Sequence, residues 1–155
     1  MLQGLPIISH GDGQSLWVMT YHTDFAQGFC GLFGKTEAIG EAYHITSDEV
    51  LTWDQIYQII AVEAECEANL VHIPSDWIAR NRPEWGPGLL GDKTYSVVFD
   101  NAKIKRLVPG YRARVSFAEG IRHSLAWHAA KPSSQVPNEA MSQRMDELVA
   151  KFNRI

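Results

Sequence analysis

Residues 40–60, GEAYHITSDEVLTWDQIYQII, place a strand-like segment directly before a helix with a well-defined start. Apolar and polar side chains alternate over residues 41–46, as they do in a half-buried strand. Thr52 and Gln55 have the spacing of a capping box, in which two side chains satisfy backbone N–H groups at the start of a helix. The stretch therefore predicts a strand, a turn and a helix over residues 53–66.

The remaining segments favour short strands interleaved with helices. Apolar runs bounded by turn residues predict strands over residues 5–9, 16–21, 69–73 and 95–99. Polar capping residues before apolar runs predict further helices over residues 76–80, 101–107, 117–128 and 138–152. Helices outnumber strands, which indicates a mixed fold of the α/β class with α+β-like character.

Two predicted helices carry an apolar stripe on one side, the pattern of a helix that packs against a core. Thr23 or Asp24 begins the first helix as its cap, and this helix runs to about residue 33. Its stripe consists of Phe25, Phe29, Leu32 and Phe33. The stripe of the last helix consists of Met141, Met145, Leu148, Val149 and Phe152.

Composition narrows the class of protein. A chain of 155 residues is one domain by default, and it is long enough to bury a core without disulfides. The net charge of -4 argues against a general affinity for nucleic acid or for an anionic membrane. Cys30 and Cys66 predict reduced thiols, and neither a membrane span nor a secretory signal is evident. We therefore expect a cytoplasmic protein.

Two glycine series have the spacing of dinucleotide-binding loops, but neither has the required context, a strand directly before and a helix directly after. Gly28-x-x-Gly31-x-x-Gly34 favours close packing of a helix on a sheet. Residues 86–91, with glycine at positions 86, 88 and 91, lie within a Gly/Pro-rich loop over residues 81–93 that carries Trp85. This loop is either an element that flexes over a ligand or a plain surface loop. No cofactor-binding residue is predicted.

The histidines do not have metal-ligand spacing. None is four residues from another His, and the two cysteines have no close Cys neighbour, so no metal site is predicted. His22, His44 and His72 lie on or beside predicted strands. Each is either a packed, hydrogen-bonded residue or a contact to a ligand.

Four sequence blocks, in order, resemble one enzyme family. Residues 11–26 contain GDG and then WVMTYHTDFA, which resemble the "GdG…v.V.DlA" segment of extended short-chain dehydrogenases/reductases. Residues 40–60 resemble the next block, "Ge.y.I.s.e.lT..el...i". Residues 99–103 (FDNAK) are similar to "fD.sKa", and residues 117–127 to "eeGi...l.w". Over about residues 6–128 the chain thus resembles the C-terminal part of an NAD-dependent epimerase/dehydratase.

The resemblance implies a division of labour. In the family, the N-terminal half forms a Rossmann domain that binds NAD(P) and supplies a Tyr-x-x-x-Lys pair, while the C-terminal half binds the substrate, usually a nucleotide sugar. The chain has no such pair, because none of its tyrosines is followed four places on by lysine; these are residues 21, 43, 57, 95 and 111. We therefore expect a substrate-binding part without the dinucleotide-binding half, no catalytic residue, and no cofactor bound by this chain alone.

Two departures from the family pattern bear on the substrate. Trp17 stands seven residues before Asp24, where UDP-sugar epimerases carry an arginine that contacts the diphosphate. Residues 89–90, both leucine, replace a second arginine ahead of Gly91-Asp92. The loss of both cations predicts a less anionic substrate. Trp17 offers a flat ring for stacking, or it is a tryptophan of the core or of an interface.

These observations give one predicted site and two hypotheses for function. The predicted substrate contacts are Trp17, His22, His72 and Trp85, within a substrate-binding region over residues 1–130 that is followed by a linker and helix over residues 131–155. The predicted partners are a sugar-like molecule and either the missing Rossmann half or a second copy of the chain, with no nucleic acid or membrane. The alternative hypothesis is a non-catalytic binding or scaffold module derived from the same fold.

Overall fold

The computed structural model describes residues 1–131, 133 and 135–154. Within this part there are four short strands and seven α-helices, so the predicted helix-rich α/β class is confirmed. The strands are β1 (Ile7–His10), β2 (Leu16–Trp17), β3 (Leu51–Thr52) and β4 (Leu70–Ile73). The helices are α1 (His22–Cys30), α2 (Trp53–Glu63), α3 (Ser75–Asn81), α4 (Gly86–Gly88), α5 (Ala102–Leu107), α6 (Phe117–Ala130) and α7 (Glu139–Phe152).

Strands β1 and β4 form a parallel pair, and strands β2 and β3 form an antiparallel pair. A parallel pair needs a long crossover, which here contains α1 and α2. The register places Ser9 beside His72 and His10 beside Ile73. The carboxyl ends of the two parallel strands therefore meet at one edge, beside the start of α2.

The predicted capping box at the start of α2 is confirmed. Thr52 Oγ1 accepts a hydrogen bond from the Gln55 N–H at 3.1 Å, and Gln55 Oε1 accepts one from the Thr52 N–H at 2.8 Å. The helix ends at Glu63, three residues before the predicted end, and Glu65 then adopts a left-handed conformation with φ 54°. Ile56 and Ala61 are buried and hold α2 against its neighbours.

The larger hydrophobic cluster, the sheet core, joins β4, α3 and the C-terminal half of α7. Its buried members are Ile73, Ile78, Leu148 and Val149. Partly buried side chains around it are Ile8, Val71, Trp77, Trp85, Leu89 and Phe152. The last helix thus covers the sheet with Leu148, Val149 and Phe152 of its predicted stripe, while Met141 and Met145 are 36% and 39% exposed.

A second cluster, the segment core, lies under residues 41–47. Ile45, Ile104 and Tyr111 are its buried members, and Leu32, Tyr43 and Val108 pack against them. Gly28 lets α1 approach closely, because a Cβ atom at this position would lie 2.5 Å from the Ile45 side chain. The prediction that this glycine permits close packing is correct, but α1 packs on an extended segment instead of a sheet.

Two predicted strands are absent. Residues 41–46 are extended and alternate between buried and exposed, yet they pair with no strand among the described residues. The Asn101 side-chain amide holds Thr46 instead, by accepting from its N–H at 3.2 Å and donating to its C=O at 2.7 Å. Residues 95–99 form no strand either. Their one backbone hydrogen bond to β2, from the Val97 N–H to the Leu16 C=O, does not make a ladder. A strand pattern needs a neighbour before it becomes a strand.

The start of α1 differs from the prediction. The helix begins at His22 without a side-chain cap, and Asp24 is buried in its first turn. The Asp24 carboxylate accepts hydrogen bonds from the N–H groups of Arg114 and Val115, at 3.0 and 2.9 Å. The tertiary contact therefore uses the side chain that the sequence offers as a cap.

The Gly/Pro-rich loop over residues 81–93 is a series of tight helical turns. Gly86 packs against Ala79 of α3, where an added Cβ atom would lie 3.3 Å from the alanine methyl group. The predicted linker, residues 131–137, includes Pro132 and Ser134, which lie outside the described residues. None of the described helices is both long and apolar enough to cross a membrane.

Candidate functional site

A turn at the carboxyl end of β1 brings the chain against the start of α2. Gly11 and Gly13 both have positive φ, 64° and 72°, which glycine adopts without strain. A Cβ atom at Gly13 would lie 1.9 Å from Asp54 Oδ1, so a larger residue would have to displace the Asp54 side chain and adopt a strained backbone conformation. The Asp54 N–H donates to the Gly13 C=O at 3.0 Å. The turn and the helix start therefore form one unit.

The Asp54 carboxylate is the polar centre of this unit. It accepts hydrogen bonds from Ser9 Oγ at 2.7 Å and from Gln14 Nε2 at 3.3 Å. His72 Nε2 lies 2.8 Å from its Oδ2 atom. Ser9 and His72 face each other across the β1–β4 pair, so one carboxylate spans both strands. The Asp54 side chain is 15% exposed and that of His72 is 44% exposed, so the His72 ring reaches the surface.

Aromatic rings surround Trp53, the residue before Asp54. The Trp53 ring centroid lies 5.5 Å from that of Trp17, 5.1 Å from that of His10 and 6.2 Å from that of Tyr57. The indole N–H of Trp53 is buried and has no hydrogen-bond partner in the described part of the chain. The site thus combines flat apolar surfaces with a buried donor, next to a carboxylate and an imidazole.

Lys93 attaches the end of the Gly/Pro-rich stretch to this cluster. Its C=O lies 2.9 Å from Ser15 Oγ and 3.0 Å from His10 Nε2. Its ammonium lies 5.6 Å from the centre of the Trp17 ring, within the range of a cation–π contact. The same ammonium pairs with Asp92 at 3.0 Å, so part of its charge is already neutralised.

The Tyr57 phenol has a perturbed pKa. Burial raises the pKa of Tyr57, and the negative charge of Asp54 raises it further, since both disfavour the phenolate. The phenol is therefore protonated throughout the neutral range. It is suited to donating a hydrogen bond and not to acting as a base.

The structure brings together two of the four predicted contacts. Trp17 and His72 flank the consecutive residues Trp53 and Asp54. His22 lies elsewhere, in a cleft of about 700 Å³ beside α6, where Tyr21 and His123 also lie. Trp85 packs on the sheet core. The cluster around Trp53 and Asp54 is therefore the candidate site, which we call the Trp53–Asp54 site.

Four residues of the Trp53–Asp54 site were not predicted from the sequence: His10, Trp53, Asp54 and Lys93. They come from three separated segments, so no spacing within one motif connects them. Asp54 lies in the first turn of α2, where the helix dipole favours a negative charge, and this alone explains an aspartate at that position. The available signal was the GDG turn directly after β1, because two left-handed glycines indicate a close approach of backbone to another group.

No family model matches the chain. In sequence, the chain is 28% identical over 133 residues to a dTDP-glucose 4,6-dehydratase from an Actinoplanes species; this match covers 86% of the chain and 37% of the relative. The chain therefore spans just over a third of the length of this relative.

Solved structures show the same relation. A UDP-glucuronic acid 4-epimerase from Bacillus cereus, in complex with UDP-glucuronic acid and NAD, has a TM-score of 0.65 and 21% identity, with 83% of this chain and 37% of that chain covered. A dTDP-glucose 4,6-dehydratase from Streptomyces venezuelae, with NAD bound, has a TM-score of 0.59 and 24% identity, with 85% and 36% covered. The described fold is thus the fold of one part of these longer proteins.

Proposed function

Since the chain is similar in sequence and fold to the C-terminal part of extended short-chain dehydrogenases/reductases, we propose that it is the substrate-binding part of an NAD-dependent epimerase/dehydratase. Its substrate is a sugar or a sugar-like molecule. Residues 1–130 form the substrate-binding region, and residues 131–155 form a linker and the helix that packs on it. The relatives named above act on or bind nucleotide sugars.

The observation that carries the proposal is the Trp53–Asp54 site. Sugar recognition needs a flat apolar surface for a ring and groups that exchange hydrogen bonds with hydroxyls. Trp17 and Trp53 supply the surface, with ring centroids 5.5 Å apart. Asp54 and His72 supply an acceptor and an imidazole that is 44% exposed. Ser9 and Gln14 fix the orientation of the carboxylate, which reduces the entropy lost when a ligand binds.

The charge of the site favours a weakly anionic ligand. Lys93 is the cation over the Trp17 ring, and its pairing with Asp92 at 3.0 Å leaves little positive charge for a diphosphate. Asp54 adds a negative charge to the site. A phosphate group near this carboxylate would be repelled, whereas a hydroxyl would donate to it.

The chemistry of the full-length enzyme depends on a part that this chain lacks. NAD, bound by the dinucleotide-binding part, would remove a hydride from the substrate and return it. The residues of this chain bind and orient the sugar, and Tyr57 donates protons in hydrogen bonds without titrating near neutral pH. His22 and Trp85, which lie outside the Trp53–Asp54 site, remain proposed contacts only for a substrate that extends beyond it. We propose that the chain alone does not oxidise or reduce a substrate.

Nuclear magnetic resonance of the ¹⁵N-labelled chain tests the proposal, because each of its five tryptophans gives a separate indole N–H signal. The titrants are methyl glucoside, UDP-glucuronic acid and NAD. We expect methyl glucoside to shift the Trp17 and Trp53 signals with a Kd in the millimolar range, about 4 kcal/mol of binding free energy. UDP-glucuronic acid binds no more tightly, and NAD shifts neither signal.

Two variants make the titration specific. Trp17→Ala should weaken methyl glucoside binding about tenfold, which corresponds to about 1.4 kcal/mol. Trp127→Ala is the matched control, because this indole is 59% exposed and lies outside the Trp53–Asp54 site. Shifts confined to the Trp127 signal, or tight binding of NAD to this chain, would overturn the proposal.

A further inference from the structure

A cleft of about 700 Å³ lies between α6, α2 and the start of α1. This volume is typical of a site for a small molecule. We call it the histidine cleft, because three imidazoles line it. Its lining includes Tyr21, His22, Ile60, His123, Trp127 and His128. None of these residues belongs to the Trp53–Asp54 site, so the cleft is a separate place for a ligand.

Tyr21 forms a fixed wall of the histidine cleft. Gly120 of α6 is buried, and a Cβ atom there would lie 2.9 Å from Tyr21 Cδ2, so the phenol ring lies directly against the helix at this glycine. The Tyr21 hydroxyl lies 3.2 Å from His123 Nδ1, and the His22 ring centroid lies 4.3 Å from that of Tyr21. Whichever group of the Tyr21–His123 pair donates their hydrogen bond, one N–H or O–H of the pair remains for a ligand. Polar groups that already hold each other lose less entropy when a ligand binds.

The charge around the histidine cleft favours an anion. No acidic side chain is among the described residues that line it, whereas three imidazoles are. The Lys131 ammonium lies 4.9 Å from the centre of the Trp127 ring. Two acids on the neighbouring helices are engaged elsewhere, since Glu63 accepts two hydrogen bonds from Arg122, both at 2.9 Å, and Asp24 is buried. A negative group of a ligand would therefore find donors in the cleft and no repelling carboxylate in its lining.

Trp127 gives the histidine cleft a flat apolar surface. The indole is 59% exposed, although tryptophan is highly buried on average in folded proteins. The partly buried side chains of Ile60, Ile121 and Leu125 form the apolar part of the lining. A planar aromatic ring can stack on this indole and cover apolar side chains at the same time.

We propose that the histidine cleft binds a planar aromatic molecule that carries one anionic group, such as an aryl carboxylate. The ring stacks on Trp127, and the anionic group accepts hydrogen bonds from the Tyr21–His123 pair and from His22 beside it. Lys131 adds a positive charge 4.9 Å from the centre of the stacking surface. A neutral aromatic molecule lacks the charge that these groups favour, and a non-planar acid lacks the ring that the indole favours. The histidine cleft and the sugar site share no residue, so each can bind its ligand without the other.

Nuclear magnetic resonance of the ¹⁵N-labelled 155-residue chain tests the proposal with three probes. These are 2-naphthoate, the neutral 2-naphthalenemethanol with the same rings, and cyclohexanecarboxylate, an acid without an aromatic ring. We expect 2-naphthoate to shift the Trp127 indole signal and the imidazole signals of His22 and His123, with a Kd of about 1 mM. Each of the other two probes should bind about tenfold more weakly, because each lacks one of the two features. The indole signals of Trp17 and Trp53 should stay in place.

Four variants locate the binding of 2-naphthoate. Trp127→Ala should weaken it about tenfold, as followed by the His123 imidazole signal. Lys131→Met should weaken it about threefold, because an exposed charge contributes less than the stacked ring. Tyr95→Ala is the matched control for the loss of an aromatic ring, since this ring is 64% exposed and lies outside the histidine cleft. Lys151→Met, at an exposed position of α7, is the control for the loss of a charge.

The pattern of binding decides the outcome. Binding of 2-naphthoate that is about tenfold tighter than that of the other two probes, and that is lost in Trp127→Ala, supports the proposal. Equal binding of 2-naphthoate and of either other probe would show that the charge or the ring is not recognised, and would overturn the proposal. Absence of 2-naphthoate binding, or binding unchanged in Trp127→Ala, also overturns it. The methyl glucoside titration reports on Trp17 and Trp53, so the two sites are tested independently.

Discussion

Helices α1 and α7 both carry an apolar stripe, but only the stripe of α7 includes buried residues. In α7, Leu148 and Val149 are 2% and 6% exposed because they pack on Ile73 and Ile78 of the sheet core. In α1, Phe29 is 47% exposed, and the chain covers only the side that carries Gly28. An amphipathic pattern therefore predicts that a helix face needs cover, but it does not say which part of which protein provides the cover.

The difference has an energetic consequence. A buried side chain stabilises the chain in which it lies, while a side chain that stays largely exposed contributes little to that stability. The two helices should therefore respond differently to the same kind of truncation.

Truncation of the covered stripe should be costly. Leu148→Ala removes buried methyl groups and leaves a cavity in the sheet core, so we expect a loss of about 3 kcal/mol in the free energy of unfolding. Phe29→Ala in the same chain should cost less, about 1 kcal/mol, because only about half of the ring is covered. Urea denaturation measures both. Equal losses would show that Phe29 is packed within this chain as tightly as Leu148.

The sequence predicted well the elements that depend on contacts close in the chain or on a simple apolar pattern. The capping box of Thr52 and Gln55 is local, and strands β1 and β4 follow from apolar runs bounded by turns. Residues 41–46 have the pattern of a strand, but strand formation depends on a neighbour that the described chain does not provide. The prediction for the start of α1 was wrong because Asp24 binds distant backbone N–H groups.

The candidate site was predictable only in part. The resemblance to the family singled out Trp17, and His72 was named from its position, and both border the Trp53–Asp54 site. Trp53 and Asp54 follow a capping residue, where an acidic side chain needs no further explanation. Their role depends on the β1–β4 register and on the approach of the Gly13 turn, and neither is visible in the spacing of residues.

Close packing of α1 on the extended segment over residues 41–46 should be sensitive to one added methyl group. Gly28→Ala places a Cβ atom 2.5 Å from Ile45 and 3.0 Å from Tyr111, so the helix must shift. We expect a loss of about 2 kcal/mol from overpacking, as judged by urea denaturation. Gly91→Ala is the matched control, since its added methyl group meets open space. A neutral Gly28→Ala would mean that α1 is not held against residue 45.

Removal of the Asn101 side chain, which anchors the extended segment over residues 41–46, should have a smaller effect. Asn101→Ala leaves the Thr46 N–H without its acceptor and the Thr46 C=O with only the Tyr111 hydroxyl as donor, at 2.9 Å. We expect a loss of about 1.5 kcal/mol in thermal or urea unfolding, together with faster amide exchange at residue 46. Unchanged exchange at this amide would show that the segment core alone fixes the segment. The same variant should speed exchange at residue 46 more than in α7, because α7 packs on the other core and is affected only through global unfolding.

The smallest effect is a pH dependence confined to the segment core. The hydrogen bond from Lys105 holds the pKa of Asp48 below its ordinary value of 3.8, against the opposing effect of burial and with a further contribution from Asn101. A depressed carboxyl pKa contributes stability that is present above pH 3.8 and is lost as the pH falls through the pKa of the folded state. The Asp48 side chain is 61% exposed, so solvent screening limits the contribution to no more than about 0.5 kcal/mol. Lys105→Met should remove this acid-dependent part of the free energy of unfolding below about pH 3.8. Arg80→Met, which breaks the exposed Asp76 pair on α3, should leave the behaviour of the segment core unchanged. If Lys105→Met has the same acid dependence as the parent chain, Asp48 does not couple the extended segment over residues 41–46 to α5.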